Sequence, residues 1–453
     1  MTRSRRRWLW LFISLTLLAA ACASVAETEG VQGSVDPDIE IPIDSAPSGA
    51  DDAVGEGPEA AASEESSTTS LSPEATTPAS EEPSAEPVDV TEVACASPSG
   101  EGRVDIGLDG NRLSAAAIEL STAATTDVLL PGVIQWVVPS GAANEWIAVL
   151  TDGQLFRVSS FPSSIEFTQI EGTWEALLAP PVTTSDATLV SPLREHDLFD
   201  DPLPDGRVVR SDSLLAVLST PTDRYDHAVL GDAIEAAAIE WVDLCEDSRG
   251  RIDVPDSDVI EGIAPILADV DDDGSVEVVV TLSNSSGGAR LAAYELDGSL
   301  LAESAPIGRG NRWRNQLAVG PFGPGGETEI LDVQTPHIGG ILQAFQLSDG
   351  ESGPVLERVA ASGGDFTSHP LGSRNLDMGV ALDANADGSL DALVAAFSRD
   401  RLVALTRTTD GQGWSEVGAV ELPGQLTSNI AIADNDGQAS IAAAGGSTLR
   451  VWR

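Results

Sequence analysis

Two short stretches of the sequence carry carboxylates at a spacing that does chemistry. Asp269, Asp271 and Asp273 are followed by Gly274, Ser275 and, at the ninth position, Glu277; Asp383, Asn385 and Asp387 are followed by Gly388, Ser389 and Asp391. Oxygen side chains at positions 1, 3 and 5 converge when the chain turns tightly. Gly at 6 permits that turn, and the carbonyl at position 7, from Ser275 or Ser389, adds a further oxygen. An all-oxygen set of this kind suits a hard divalent cation in a structural role. A helix–loop–helix calcium motif closes on Glu at position 12, whereas position 12 here is Val280 or Val394 and the closing acid sits at position 9.

The elements that must position these loops read as strands. Ile266-Leu267-Ala268 and Val278-Val279-Val280 flank the first loop, and Val380-Ala381-Leu382 and Ala392-Leu393-Val394 flank the second. Two degenerate copies align with them. Leu317–Gly320 leads to Glu329–Leu331 with no early Asp, and Ile430–Ile432 leads to Ser440-Ile441 with only Asp434 and Asp436, so no metal is expected in either. A second apolar run follows each copy and usually closes on Asp-Gly, as at Asp297-Gly298, Asp349-Gly350 and Asp410-Gly411. Short β-type runs joined by Asp-Gly turns, recurring about every fifty residues, predict four-stranded blades. Glu145–Val158, around Asp152-Gly153, extends the pattern into the first half. Ala228–Asp232 followed by Ala237–Leu244 reads as another blade without an acidic loop. Residues 95–453 are therefore expected to form an all-β β-propeller of about seven blades, with six or eight as alternatives.

With strands on both sides, the two loops resemble the FG-GAP or VCBS repeat, the integrin-type blade whose Asp-x-Asp-x-Asp-Gly-x-x-Asp loop binds Ca²⁺. The resemblance covers 257–453 closely and 100–256 by architecture alone. It implies two structural Ca²⁺ ions, one held by Asp269, Asp271, Asp273, the Ser275 carbonyl and Glu277, the other by Asp383, Asn385, Asp387, the Ser389 carbonyl and Asp391.

Composition bounds the partners. The chain has 453 residues and carries 72 Asp+Glu against 24 Lys+Arg, a formal net charge of −48. A surface so acidic repels phosphate, which excludes a general nucleic-acid binder. Residues 1–22 read as an export signal: a basic start through Arg7, an apolar run from Trp8 to Leu18, then Ala19-Ala20-Ala21-Cys22. The last four residues resemble a bacterial lipobox, which implies lipidation of Cys22; an ordinary secretory signal is the alternative. Ser4–Leu9 also resembles a twin-arginine motif. Residues 23–94 contain 18 Asp+Glu, no Arg or Lys and no aromatic residue. They read as a disordered acidic tether rich in Ser, Thr and Pro, or as a stalk for O-glycosylation. In an oxidising compartment the remaining pair, Cys95 and Cys245, is expected to form a disulfide, against the alternative of two unpaired thiols.

Stretches just before the inner strands of a propeller reach the face around its channel. Here these are Asp223–His227, Arg309–Asn315 and His369–Asn375, with Thr335–Gly340 between two runs of one blade. Arg309, Arg312, Trp313, Arg314, His337, His369 and Arg374 could form a pocket for a carboxylate, sulfate or glycan, with Trp313 stacking on a sugar. The competing expectation is that these Arg pair with neighbouring acids to hold blades together. His196, His227, His337 and His369 show no zinc-type spacing. No catalytic residue is assigned, since there is no Gly-x-Ser-x-Gly elbow and no phosphate loop. The expected function is a monomeric, non-catalytic module that binds protein or polysaccharide, exported and held to the extracytoplasmic side of the cell membrane only by its lipid anchor. The rival class is a propeller enzyme, a polysaccharide lyase or a quinone-dependent dehydrogenase.

Overall fold

The computed structural model describes residues 109–160, 165–174, 179–183, 189–191 and 193–453. The expected signal peptide (1–22), the tether (23–94), Cys22 and Cys95 lie outside the described residues. Within them the chain is all-β, and the only helical turns are three short 3-10 segments, Leu120–Thr122, Arg194–Leu198 and Pro336–Ile338.

Six four-stranded antiparallel blades, numbered I to VI here, follow one another along the chain. Blade I is Ile134–Pro139, Glu145–Leu150, Gln154–Ser160 and Ile165–Thr173; blade II is Val209–Ser211, Leu214–Thr222, Glu235–Asp243 and Ser248–Asp253. Blade III is Ile266–Ala268, Glu277–Asn284, Gly288–Tyr294 and Leu300–Glu303; blade IV is Arg314–Gly320, Glu329–Gln334, Ile341–Gly350 and Gly353–Ala361. Blade V is Gly379–Asp383, Asp391–Ala396, Arg401–Arg407 and Trp414–Glu421. Blade VI takes three strands from the end of the chain, Ala431–Asn435, Gln438–Gly445 and Thr448–Trp452, and its outermost from the beginning, Thr125–Leu129.

Runs such as Glu277–Asn284 and Asp391–Ala396 are buried nearly throughout, because each sheet is covered on both faces by its neighbours. Leu218, Ile239 and Val280 pack between II and III, and Val279, Val319 and Phe345 between III and IV. Leu331, Val394 and Val403 pack between IV and V, Leu393, Leu402 and Ile441 between V and VI, and Trp146, Val158 and Val451 between VI and I. A single blade would leave such residues wet, at about 1.5–3 kcal/mol for each large side chain, so the blades stabilise one another. The outer faces of I and II are covered differently. Trp174 and Leu189 lie on Trp136 and Ile147, and Leu198 and Phe199 lie on Leu215 and Val217. The only described strands in that gap are the hairpin Val182–Thr183 with Leu189–Val190. A count of seven from length alone thus corresponds, among the described residues, to six full blades and one two-stranded insert.

The blade read at Ala228 is differently built. Its inner strand is Val209–Ser211, Ala228–Asp232 is a surface loop, and Glu235–Asp243 is the third strand. The apolar triplet Ala228-Val229-Leu230 mimics a strand, but Val229 O accepts the Gly372 amide and Leu230 O accepts the Arg374 guanidinium, so its carbonyls bind another loop.

Residues 109–117 run through the centre. Asp109 O accepts from Leu267 N (2.8 Å), the Asn111 side chain bonds both ways with Val319 (2.8 and 2.9 Å), Arg112 O accepts from Ala381 N (2.7 Å), and Ala117 N donates to Gly437 O (3.0 Å). One segment therefore ties together the inner strands of III, IV and V and the first hairpin of VI. It passes so close that a Cβ on Gly110, whose φ is +76°, would lie 2.0 Å from Pro265 O. On the same axis Asp377 accepts from Arg112 Nε (2.6 Å) and Arg207 Nη1 (2.7 Å), and the two guanidiniums hold its carboxyl down at about 2 despite burial.

Candidate functional site

In an up-and-down sheet alternate connections lie at the same end. The turns between first and second strands, which include both acidic loops, are therefore at one face of the ring, and the turns between second and third strands and between blades are at the other. Each face holds one candidate site.

The two acidic loops are built alike. Asp269 accepts the Asp273 amide on Oδ1 (3.1 Å) and the Gly274 amide on Oδ2 (2.9 Å); Asp383 accepts those of Asp387 (3.1 Å) and Gly388 (2.8 Å) in the same way. Positions 4 and 6 have positive φ in both, 61° and 89° at Asp272 and Gly274, 54° and 91° at Ala386 and Gly388. Ala386 has no side-chain reason to adopt that region, so the loop holds it there. Side-chain oxygens of Asp269, Asp271 and Asp273 lie within 4.8 Å of one another. The ninth-position acids are the first residues of the second strands and are fully buried. Glu277 Oε2 accepts the Val270 amide (2.6 Å) and Asp391 Oδ2 accepts the Ala384 amide (2.9 Å), while Glu277 Oε1 and Asp391 Oδ1 are buried without a partner. Burial, reinforced by the other loop acids, pushes Glu277 up to about 7 and Asp391 up to about 6. A carboxylate oxygen left unbonded in a dry site costs about 1–3 kcal/mol unless a cation or proton meets it. The donor set fits a hard cation. The degenerate copies are built differently: Glu327 bends back to the Gly325 amide (2.7 Å), and Asp436-Gly437 is a tight hairpin turn.

The other face does not assemble the expected pocket as a unit. Trp313 is buried, donates through Nε1 to Glu261 O (2.9 Å) and packs against His369 with ring centroids 4.8 Å apart, so it offers no surface to a sugar. Arg314 is 2% exposed, 3.2 Å from Asp332, and lies over the Phe345 ring inside the blade. Arg374 pairs with Asp205 and Asp232. For Arg314 and Arg374 pairing with neighbouring acids is what the structure shows. Arg309 and Arg312 remain exposed, Arg309 donating to Ser286 O (3.2 Å).

What this face does bring together is histidine. His227 lies between the second and third strands of II, His337 at the corresponding place in IV, and His369 just before V. Centroids of His227 and His337 are 6.4 Å apart, and those of His337 and His369 6.0 Å. The His337 turn is set by Pro336, by Gly339 at φ 90° and by Gly340 N donating to Phe366 O (2.7 Å). His227 Nδ1 meets Glu261, which also accepts from the Ser283 hydroxyl. Burial lowers His369 to about 3 and lowers His337; burial and then Glu261 push the nearby Glu235 up to about 10. Spacing along the chain could not reveal this group, since its members come from three connections. A lone acid in the apolar run Val259-Ile260-Glu261-Gly262-Ile263 was the one local signal.

Cys245 is disulfide-bonded, and Cys95 lies outside the described residues.

No family model matches the chain. No curated protein is significantly similar to it. Among solved structures it is similar to the β-propeller domain of Cps50 (Swd1) from Myceliophteria thermophila, at 10% identity and a TM-score of 0.37, over 73% of this chain and 99% of that one. So loose a likeness stays a likeness; the architecture follows from the chain's own strand pairing.

Proposed function

We propose that this chain is an exported, lipid-anchored propeller of the FG-GAP/VCBS kind, stabilised by Ca²⁺ in the loops of blades III and V and acting as a non-catalytic binding module for protein or polysaccharide. One observation carries the metal reading: two loops far apart in sequence share one hydrogen-bond pattern, and each leaves a single buried carboxylate oxygen unmet. Asp269, Asp271, Asp273 and Glu277, and Asp383, Asn385, Asp387 and Asp391, would hold the ions, with the Ser275 and Ser389 carbonyls. Bound Ca²⁺ would supply charge compensation alone. Calorimetric melting of the full chain with Ca²⁺ and with EGTA tests this, and an unchanged melting temperature would refute it.

Arg309 and Arg312 support the binding role, as exposed guanidiniums on a chain of net charge −48, able to take a carboxylate or sulfate in bidentate fashion. Loss of glycan-array signal in Arg309→Ala/Arg312→Ala is the expected result. A lyase is the second reading, favoured by the buried Tyr225 and Glu261 and the partly exposed His227 on that same face. Release of unsaturated sugar from an acidic polysaccharide would replace the binding reading.

A further inference from the structure

We propose that His227, His337 and His369 bind one divalent transition-metal ion of the zinc class, on the face opposite the acidic loops. The proposal is independent of the Ca²⁺ reading, because it uses other residues, other donor atoms and the other end of the blades.

Three observations carry it. Imidazoles from three connections lie side by side in a row, His227 next to His337 and His337 next to His369, with neighbouring centroids 6.4 and 6.0 Å apart. Nitrogen donors select transition metals where carboxylates and carbonyls select calcium. Next, two of the rings are held from behind by an oxygen, as metal-ligating histidines are. His227 Nδ1 is engaged by the buried carboxylate of Glu261, leaving Nε2 for a ligand. His369 Nε2 faces Val229 O at 3.4 Å, leaving Nδ1, and that atom and His337 Nδ1 are both buried with no hydrogen-bond partner. His369 is itself completely buried, so its unmet nitrogen is a cost that an ion would remove. Finally, Glu261 is completely buried against His227 and the Ser283 hydroxyl, and among the described residues no guanidinium pairs with it. A divalent ion supplies the missing positive charge.

The three donor nitrogens are not gathered within 4.8 Å of one another, so binding requires His227 and His337, which sit in surface connections and are partly exposed, to draw in to the metal–nitrogen distance of about 2.0–2.1 Å. Three protein ligands would leave a fourth position open, and the neighbouring Tyr225, whose ring centroid is 5.9 Å from that of His227, has a buried hydroxyl without a partner.

The test uses the full chain without an affinity tag, stripped with chelator and returned to Ca²⁺ so that the acidic loops are saturated. Co²⁺ is then titrated by visible absorption and Zn²⁺ by calorimetry. One Co²⁺ per chain, with ligand-field bands displaced by Zn²⁺, is expected. His227→Ala or His337→Ala should weaken Zn²⁺ binding at least tenfold, and Glu261→Gln, a positioning change, by about 10–100-fold. Asp269→Asn should leave Zn²⁺ binding unchanged. Failure to bind either ion, binding unaltered in His337→Ala, or binding lost in Asp269→Asn would each overturn the proposal. His337 is partly exposed, so its variant folds even if changes at His369 do not.

Discussion

The two faces of the ring solve the same physical problem with different means. On the acidic-loop face, nine consecutive residues would supply every donor to a bound ion, and the turn that gathers them is fixed by local amides. On the histidine face the candidate donors come from blades II and IV and from the connection into V, and their rings touch only because the ring holds those connections together. A contiguous site depends on its own loop; an assembled site depends on the whole ring.

The strongest way to break this comparison is to cut what the faces share. Asp377→Asn leaves Arg112 and Arg207 against a neutral group in a buried setting, so stability should fall by about 3–5 kcal/mol, read as a lowered urea midpoint. A loss within about 0.5 kcal/mol would show that the axis is not a common support. Removing Ca²⁺ should cost about 2.7 kcal/mol if the ion had been at a hundredfold excess over its Kd, and Asp269→Asn should abolish part of that response while His337→Ala leaves it intact. Acid sharpens the picture. Asp377 is depressed in the folded chain to about 2 from 3.8, so its stabilisation is complete above about pH 4 and disappears as pH falls toward 2. Asp377→Asn should flatten that part of the unfolding curve. The smallest effect is expected from Arg309→Ala/Arg312→Ala, within about 0.5 kcal/mol by thermal melting, because both side chains are exposed.

These differences also explain what the sequence disclosed. The acidic loops and the Asp-Gly turns of III, IV and V were legible because turn chemistry is local, and Asp297-Gly298, Asp349-Gly350 and Asp410-Gly411 all lie at third-to-fourth-strand turns. Blade II was misread because its inner strand, Val209–Ser211, is too short for any periodicity, while Ala228–Leu230 imitates one. Trp313 looked like a sugar platform because Arg neighbours suggest a wet surface. Its burial is decided by His369, 56 residues onward, and by the Glu261 carbonyl. The histidines' stretches were placed on one face from the sequence, but the contact of His227 and His369 with His337 could not be read from it, for the same reason.

Blade VI has a kinetic consequence. Thr125–Leu129 has no partner until Thr448–Trp452 exists, and the Asp127–Arg450 pair that secures them spans 323 residues. Closing so long a loop is a slow step, and it cannot begin before residue 452 has been made. Until then the inner segment at 109–117 has only part of its bed, so the ring should lock in a late, single event that joins Thr125–Leu129 to Thr448–Trp452. A peptide copying Thr448–Trp452, added during refolding, would compete for that strand and delay the lock.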